Sequence, residues 1–528
     1  MRSLPFPTAV RPRTIITTDP ELDDLNSMIR LLTYANEIDI RGLVYAGSQC
    51  HVAGDPQRGI APYRWPAPGE RGHIDQAIDA YAQVEETLRV HDPRYPSAAH
   101  LRSLVRTGNI AAEGEMEEET EGSGLIADYL REIALTPDGA TEDDATRPLF
   151  IQAWGGISTI ARALRSVAEE LGGREDWEGL RQRIVDRVVI TSFGEQDSTL
   201  DSYVRPQWPG LEHREVATET WGYMTRGVLA PADCELASAR WTERSISSRG
   251  PLGAAYRVWG DGRQMAAGFD REDYFWIQGK DGAELAAEGY AVWCPVQEAG
   301  AFISEGDTSN FLLLVPNGLS SWQDATYGGW GGRQAPHPEH ADTLTSDMRF
   351  HLPDLPGMPE LPQPTWPPLV VDHDAEGEAP AEYHATRWWR AAQHDFASRL
   401  AWSLTSRFED ANHPPVVSVV GGPSREQCPE GGLRRAVRAG ERVRLQAGGA
   451  RPADPDGDAV ALRWWAYPEA GPRPCPVAPE LDDDGQGGAV VSVPQEAEPG
   501  QEIHLVVEGT DDGVPALTRY QRVVLVVG

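Results

Sequence analysis

Residues 13–34 constrain this chain more than any other stretch. Residues 14–18 (Thr-Ile-Ile-Thr-Thr) form a β-branched run that reads as a buried strand. Pro20 lacks a donor and disfavours helical geometry at Asp19, which places a turn at the strand's end. Leu25, Met28, Ile29 and Leu32 then recur at the spacing of one helix face. Asp19, Asp23 and Asp24 are thereby crowded onto a single strand-to-helix turn. Carboxylates so close repel one another unless a cation or a helix N-terminus offsets the charge. Helix capping accounts for one of them. A hard cation such as Ca²⁺ accounts for several, because it gathers carboxylate and carbonyl oxygens in a flexible shell. The number of carboxylates favours the cation.

The chain after this turn continues the same pattern. Residues 43–46 form a second strand, and strand, helix and strand within about forty residues are a βαβ unit of a parallel sheet. Residues 47–51 then lie on the carboxyl edge of the sheet, where open α/β sheets bind ligands. A lone loop histidine such as His51 is expected to be solvated, with a pocket role as the alternative. The run Glu113–Glu121 is expected to be a solvated, mobile acidic loop. Residues 148–154 are another strand, and Gly155-Gly156 opens the next helix with little to keep a ligand from the backbone. A strand at 187–191 leads to a polar loop in which Glu195, Gln196 and Asp197 are substrate-contact candidates or ordinary loop polarity. Trp330, between two glycine pairs, reads either as a sugar-stacking ring or as a packed loop residue.

Composition narrows the partners. A formal net charge of -34 argues against nucleic acid and anionic membranes. No 18-residue apolar run is present, and residues 1–12 lack the apolar core of a signal peptide. As written the chain reads as cytoplasmic, or as secreted if its true start lies upstream. The 17 Trp suggest stacking surfaces as well as packing. Five widely spaced Cys show no metal-ligand pairing; Cys428 and Cys475 are either partners or isolated thiols.

Residues 350–382 are a Pro-rich excursion, and Trp389, Phe396, Leu400, Leu404 and Phe408 mark a closing helix over 384–409. Beyond Asn412-His-Pro-Pro415, short strands are expected at 416–420, 443–445, 459–465, 489–493, 503–507 and 523–527, the pattern of an Ig-like β-sandwich. Two domains follow, 1–412 and 413–528. The turns at 454–458 and 510–513 are rich in Asp and Gly, a composition that forms with or without metal.

Thr17-Thr-Asp-Pro-Glu-Leu-Asp-Asp24 resembles the N-terminal signature of the calcium-dependent nucleoside hydrolases. Together with Glu305-Gly-Asp-Thr308 and Gly328-Gly-Trp-Gly-Gly332, it more closely resembles a branch of that superfamily often called cellulose-binding proteins (the DUF1593 group). The resemblance implies an α/β fold with a mostly parallel sheet flanked by helices. It also implies Ca²⁺ held by Asp19, Asp24, Asp307 and the Trp154 carbonyl, with Asp19 as base for an attacking water. Asp23 would hold sugar hydroxyls, Gln49 is a loose match to a sugar-binding Asn, and Asn310 is either a further sugar contact or a helix-start amide. Thr120 would open a helix, and Thr308 or Ser309 would cap one. The expected ligand is a sugar or nucleoside, or a polysaccharide. Thr17 and Glu21 depart from the signature, and Gly306 stands where a hydrolase carries an acidic His. Hydrolysis of a glycosidic or N-ribosidic bond is therefore one expectation, and carbohydrate binding without turnover is the other.

Overall fold

The computed structural model describes residues 11–137, 147–265, 269, 271, 273–351, 358, 363–420, 433–448 and 454–528. An eight-stranded sheet organises the first two-thirds of the chain. Its strands are β1 (Arg13–Thr18), β2 (Asp39–Tyr45), β3 (Val105–Thr107), β4 (Leu149–Ala153), β5 (Val188–Ser192), β6 (Glu212–Glu215), β7 (Ala335–Pro336) and β8 (Thr343–Thr345). They lie in the order β3-β2-β1-β4-β5-β6-β8-β7, and every pairing but β7–β8 is parallel. Strand order reverses at β1, which pairs with β2 on one side and β4 on the other. Such switch points leave a crevice at the carboxyl ends of the strands.

β1, β4 and β5 are buried along their whole length, as expected for a parallel sheet covered on both faces. Alternation sends Ile16 into a cluster with Leu25, Met28 and Ile29 from helix Leu22–Thr33. Ile15 goes to the opposite face, with Ile126 of helix Glu121–Leu135 and Ile160 of helix Ser158–Leu171. Thr120 caps the former helix through a reciprocal bond with Ser123, as expected. The acidic run before it is exposed yet pinned, with Glu117 on Arg165 (2.9 Å) and Glu118 on Arg58 (2.9 Å).

The closing helix is shorter than its apolar spacing suggests, spanning Trp389–Trp402. Ser403 and Thr405 bond to nearby backbone carbonyls (2.7 and 3.4 Å) and so compete with helix continuation; Leu404 is left exposed.

The β-rich remainder holds two sheets. One is β10 (Arg442–Gln446), β13 (Gly488–Ser492) and β12 (Glu480–Asp483); the other is β11 (Val460–Tyr467), β14 (Glu502–Asp511), β15 (Thr518–Val527) and β9 (Leu433–Val437). Pairings are antiparallel except β15–β9. The strand expected at 416–420, which follows two prolines, supplies an isolated bridge from Val419 to Ala447. Val443, Val491, Leu505 and Val523 fill the space between the sheets.

The two regions share a core. Trp388 packs edge-on against Tyr520 (5.4 Å) and tilted on Trp465 (5.8 Å), in the cluster that contains Trp330 and Val506. Arg522 donates to the carbonyls of Leu319 (2.6 Å) and Gly328 (2.9 Å). The Pro-rich stretch is more than a surface excursion, because Asp372 is buried and accepts from both Arg333 (2.8 Å) and Tyr467. Among the described residues no helix is long and apolar enough to cross a membrane. Cys475 is buried; its suggested partner Cys428 lies outside the described residues.

Candidate functional site

β1 delivers Asp19 to the crevice. The Asp19 carbonyl accepts from the Glu21 amide (2.8 Å), and the helix begins at Leu22 with Asp23 and Asp24 in its first turn. The N-cap is Glu21, whose side chain makes no capping bond, so capping does not explain the carboxylates. One ligand atom each from Glu21, Asp23 and Asp24 lie within 4.8 Å of one another, as do those of Asp19, Glu21 and His51. Asp307 is the residue before helix Thr308–Leu312, and its charge bears directly on Asp24. Asp19, Asp24 and Asp307 are almost wholly inaccessible.

Each carboxylate has a distinct setting. His51 Nδ1 lies 3.1 Å from Asp19 Oδ2. Thr18 donates its hydroxyl proton to Asp24 Oδ1 and therefore accepts from His73 Nε2 at 2.8 Å. Asp23 accepts from Tyr223 (3.1 Å) and Ser304 (3.2 Å). Burial pushes Asp19 upward, but the charge and hydrogen bond of His51 overcome it and hold Asp19 below the usual carboxylate range. Burial followed by the charge of Glu21 pushes Asp23 up to about 8. Asp24 and Asp307 are pushed well up by burial, then by Asp307 and Asp23 respectively.

Six buried polar atoms among the described residues here have no hydrogen-bond partner: Asp19 Oδ1, Asp307 Oδ1, both side-chain amide atoms of Asn310, His51 Nε2 and His73 Nδ1. Buried polar atoms are nearly always satisfied. Repelling carboxylates with orphaned oxygens fit a hard divalent cation. The Trp154 amide is fixed to the Thr17 carbonyl (2.8 Å), and its own carbonyl accepts from Gln196 Nε2 (2.8 Å), which leaves a second lone pair. A β-carbon on Gly155 would meet Asp19 Cγ at 3.0 Å, so the glycine lets the two strand ends close up.

A buried ion pair fixes the two halves of the site. Glu305 accepts from Arg30 Nη2 (2.9 Å), from Thr308 (2.9 Å) and from Tyr256. It thus ties the helix that bears Asp24 to the turn that bears Asp307.

The family model for the nucleoside hydrolase-like domain of cellulose-binding Sde182 matches residues 13–334, a span that contains every residue of this site. This chain belongs to that family. A second model, for the C-terminal domain of cellulose-binding protein Sde0182, matches residues 442–527. Among solved structures, a nucleoside hydrolase-related hypothetical protein from Saccharophagus degradans, described as associated with carbohydrate metabolism, is 22% identical. The match covers 98% of this chain and 100% of that one with a TM-score of 0.67. An inosine-guanosine nucleoside hydrolase matches at 12% identity over 64% of this chain and 94% of its own, with a TM-score of 0.29. A plant nucleoside hydrolase matches at 14% over 75% and 99%, with a TM-score of 0.30. No curated protein matches.

Within this family member, Asp19, Asp23, Asp24 and Asp307 come together, and Asn310 lies one helical step beyond, its backbone N–H donating to the Asp307 carbonyl (3.0 Å). Gln49 is exposed, with its amide on the Gln196 carbonyl (2.8 Å). Glu195 is also exposed and accepts from the Asp201 amide (3.2 Å). Its neighbours turn inward: Gln196 reaches Trp154, and Asp197 anchors Ser158 (2.9 Å) and Thr199 (2.6 Å). Trp330 offers no face to a ligand, since it is wholly buried beside Arg519 (5.5 Å to the ring centroid). The expectation of a solvated His51 is overturned, because the ring is buried against Asp19. Thr308 is the first helical residue rather than a cap, its hydroxyl spent on Glu305.

Sequence reasoning missed His73, Tyr223 and Ser304. His73 opens helix His73–Ala82 and reads as nothing more than a helix start. Tyr223 and Ser304 reach Asp23 from 200 and 281 residues away, with no local pattern to mark them.

Proposed function

We propose that the chain is a calcium-dependent hydrolase of a glycosidic or N-ribosidic bond. The observation that carries this reading is the buried carboxylate set with its orphaned oxygens at the sheet's switch point. Asp19, Asp24, Asp307 and the Trp154 carbonyl would hold the ion. Bound there, Ca²⁺ supplies charge neutralisation and polarises water. Asp19, kept ionised by His51, takes the proton of the attacking water. Asp23, braced by Tyr223 and Ser304, holds sugar hydroxyls as positive charge develops at the anomeric carbon, and Asn310 contributes a further contact. Residues 1–412 form the catalytic unit, and 413–528 an Ig-like sandwich.

Carbohydrate binding without turnover is the second reading, favoured by Gly306. A β-carbon there would lie 2.6 Å from Asp23 Oδ2, so the place of a leaving-group acid is filled by the Asp23 carboxylate. A screen of nucleosides and aryl glycosides for released reducing sugar separates the two. Hydrolysis that stops with chelator supports the enzyme; calcium-dependent sugar binding with no release supports the binding protein. Asp24→Asn with Asp307→Asn should abolish the calcium dependence in either case.

A further inference from the structure

We propose that a second calcium ion binds where the two regions join, between Asn412, the loop at 454–458 and the end of β14. One carboxylate oxygen each from Asp454, Asp456 and Asp458 lie within 4.8 Å of one another. Three nearby oxygens are buried and unpartnered: Asp454 Oδ2, Asp511 Oδ2 and Asn412 Oδ1. Asp511 and Asn412 are only 4% and 8% exposed, so these oxygens have no solvent to replace a missing donor.

The surrounding bonds hold these residues against the cluster. Asp454 Oδ1 accepts from the amides of Asp456 (2.9 Å) and Asp458 (3.1 Å). Asp511 Oδ1 accepts from Asn412 Nδ2 (3.1 Å), Gly513 N (3.0 Å) and Leu517 N (2.9 Å). Next to Asn412, the His413 amide donates to Asp456 Oδ2 (2.6 Å). From the other side, Asp512 Oδ1 accepts from the Ala459 amide (2.8 Å). Burial and the charge of Asp454 both push Asp511 upward, and Asp458 is pushed the same way by burial and its three acidic neighbours. Both ring nitrogens of His413 are engaged, Nδ1 by Asp456 (2.9 Å) and Nε2 by His91 (2.9 Å). The donors left over are all oxygens, from carboxylates and an amide, and this set selects calcium over softer metals.

The position gives the ion a mechanical role. The Asn412 carbonyl accepts from Trp402 Nε1 (2.8 Å) and Ser398 (2.7 Å) of the closing helix. An ion shared by Asn412 and the β-region therefore clamps that helix to the sheet that holds β11 and β14, separately from the carboxylates at Asp19.

The test is calcium titration of the full chain by calorimetry and melting. Asp454→Asn with Asp458→Asn, on a loop whose residues are at most half-buried, should bind one ion fewer than the parent and lose part of the calcium-induced rise in Tm. In the Asp24→Asn, Asp307→Asn background, calcium should still raise Tm, and adding the loop substitutions should abolish that response. If the loop variant is folded by circular dichroism and binds as many ions as its parent with unchanged affinity, the proposal is overturned. Should the Asp24, Asp307 background fail to fold, the ion count of the loop variant against the natural chain decides alone.

Discussion

Replacing Glu305 by Gln tests whether the site is held by its buried ion pair. Arg30 and Glu305 are both wholly inaccessible. Glu305 receives donors from Arg30, Tyr256 and Thr308. An amide in its place cannot neutralise Arg30, and whichever way it is turned its NH₂ faces a donor. Breaking a buried pair from one side costs about 3–5 kcal/mol, because the remaining charge is uncompensated. Arg30 keeps its contacts to the Phe396 ring (4.0 Å) and to Ala392 O (3.2 Å), which points to the lower end of that range. Urea unfolding of Glu305→Gln should show a lower midpoint with an unchanged slope. Pairing it with Arg30→Met should recover part of the loss, since no buried charge then remains. A loss below about 1 kcal/mol, the value of an exposed pair, would refute the reasoning.

Three further outcomes are expected. Gly306→Ala should push Asp23 aside and weaken sugar affinity about tenfold, the effect of roughly 1–2 kcal/mol of overpacking; unchanged affinity in a calorimetric titration would remove Asp23 from the sugar site. His384 is held neutral by burial, down to about 4, so between pH about 6.5 and about 4 the unfolded chain binds a proton that the fold does not, and stability falls as pH drops through that window. His384→Asn should flatten the dependence of the urea midpoint on pH between 7 and 5, and an unaltered slope would contradict this. A fragment of residues 1–412 should keep its α/β circular dichroism but unfold at lower urea than the whole chain. It loses the cover of Trp388 and the Arg519 partner of Asp395 (2.6 Å); a midpoint equal to that of the full chain would contradict a shared core.

The parts of this molecule legible in the sequence are those with short-range periodicity. The β-branched run at 14–18 and the spacing of Leu25, Met28, Ile29 and Leu32 locate β1 and its helix, because burial on both faces of a parallel sheet leaves a local hydrophobic record. The three carboxylates are legible because repulsion makes their spacing improbable without a function. His51 misleads, since its sequence surroundings are those of a loop and its burial comes from the carboxyl edge closing over it. Trp330 is open to two readings in the sequence, and the packed one holds: the glycines on both sides let the chain pass tightly through the core shared with β15. Residues that brace Asp23 from 200 and 281 positions away leave no local trace, and β9, on the edge beside β15, shows no apolar alternation: Arg434, Arg435 and Ala436 are all exposed.

The most direct measurement is release of nitrophenol from activated ribosides and glucosides by the natural chain, with and without chelator, and by Asp19→Asn. Such substrates need little protonation of the departing oxygen, so the glycine at 306 does not limit them. Calcium-dependent release is expected, falling at least about a hundredfold in Asp19→Asn, the low end of general-base contributions. No release from any activated glycoside, with calcium shown to be bound, would contradict the hydrolase.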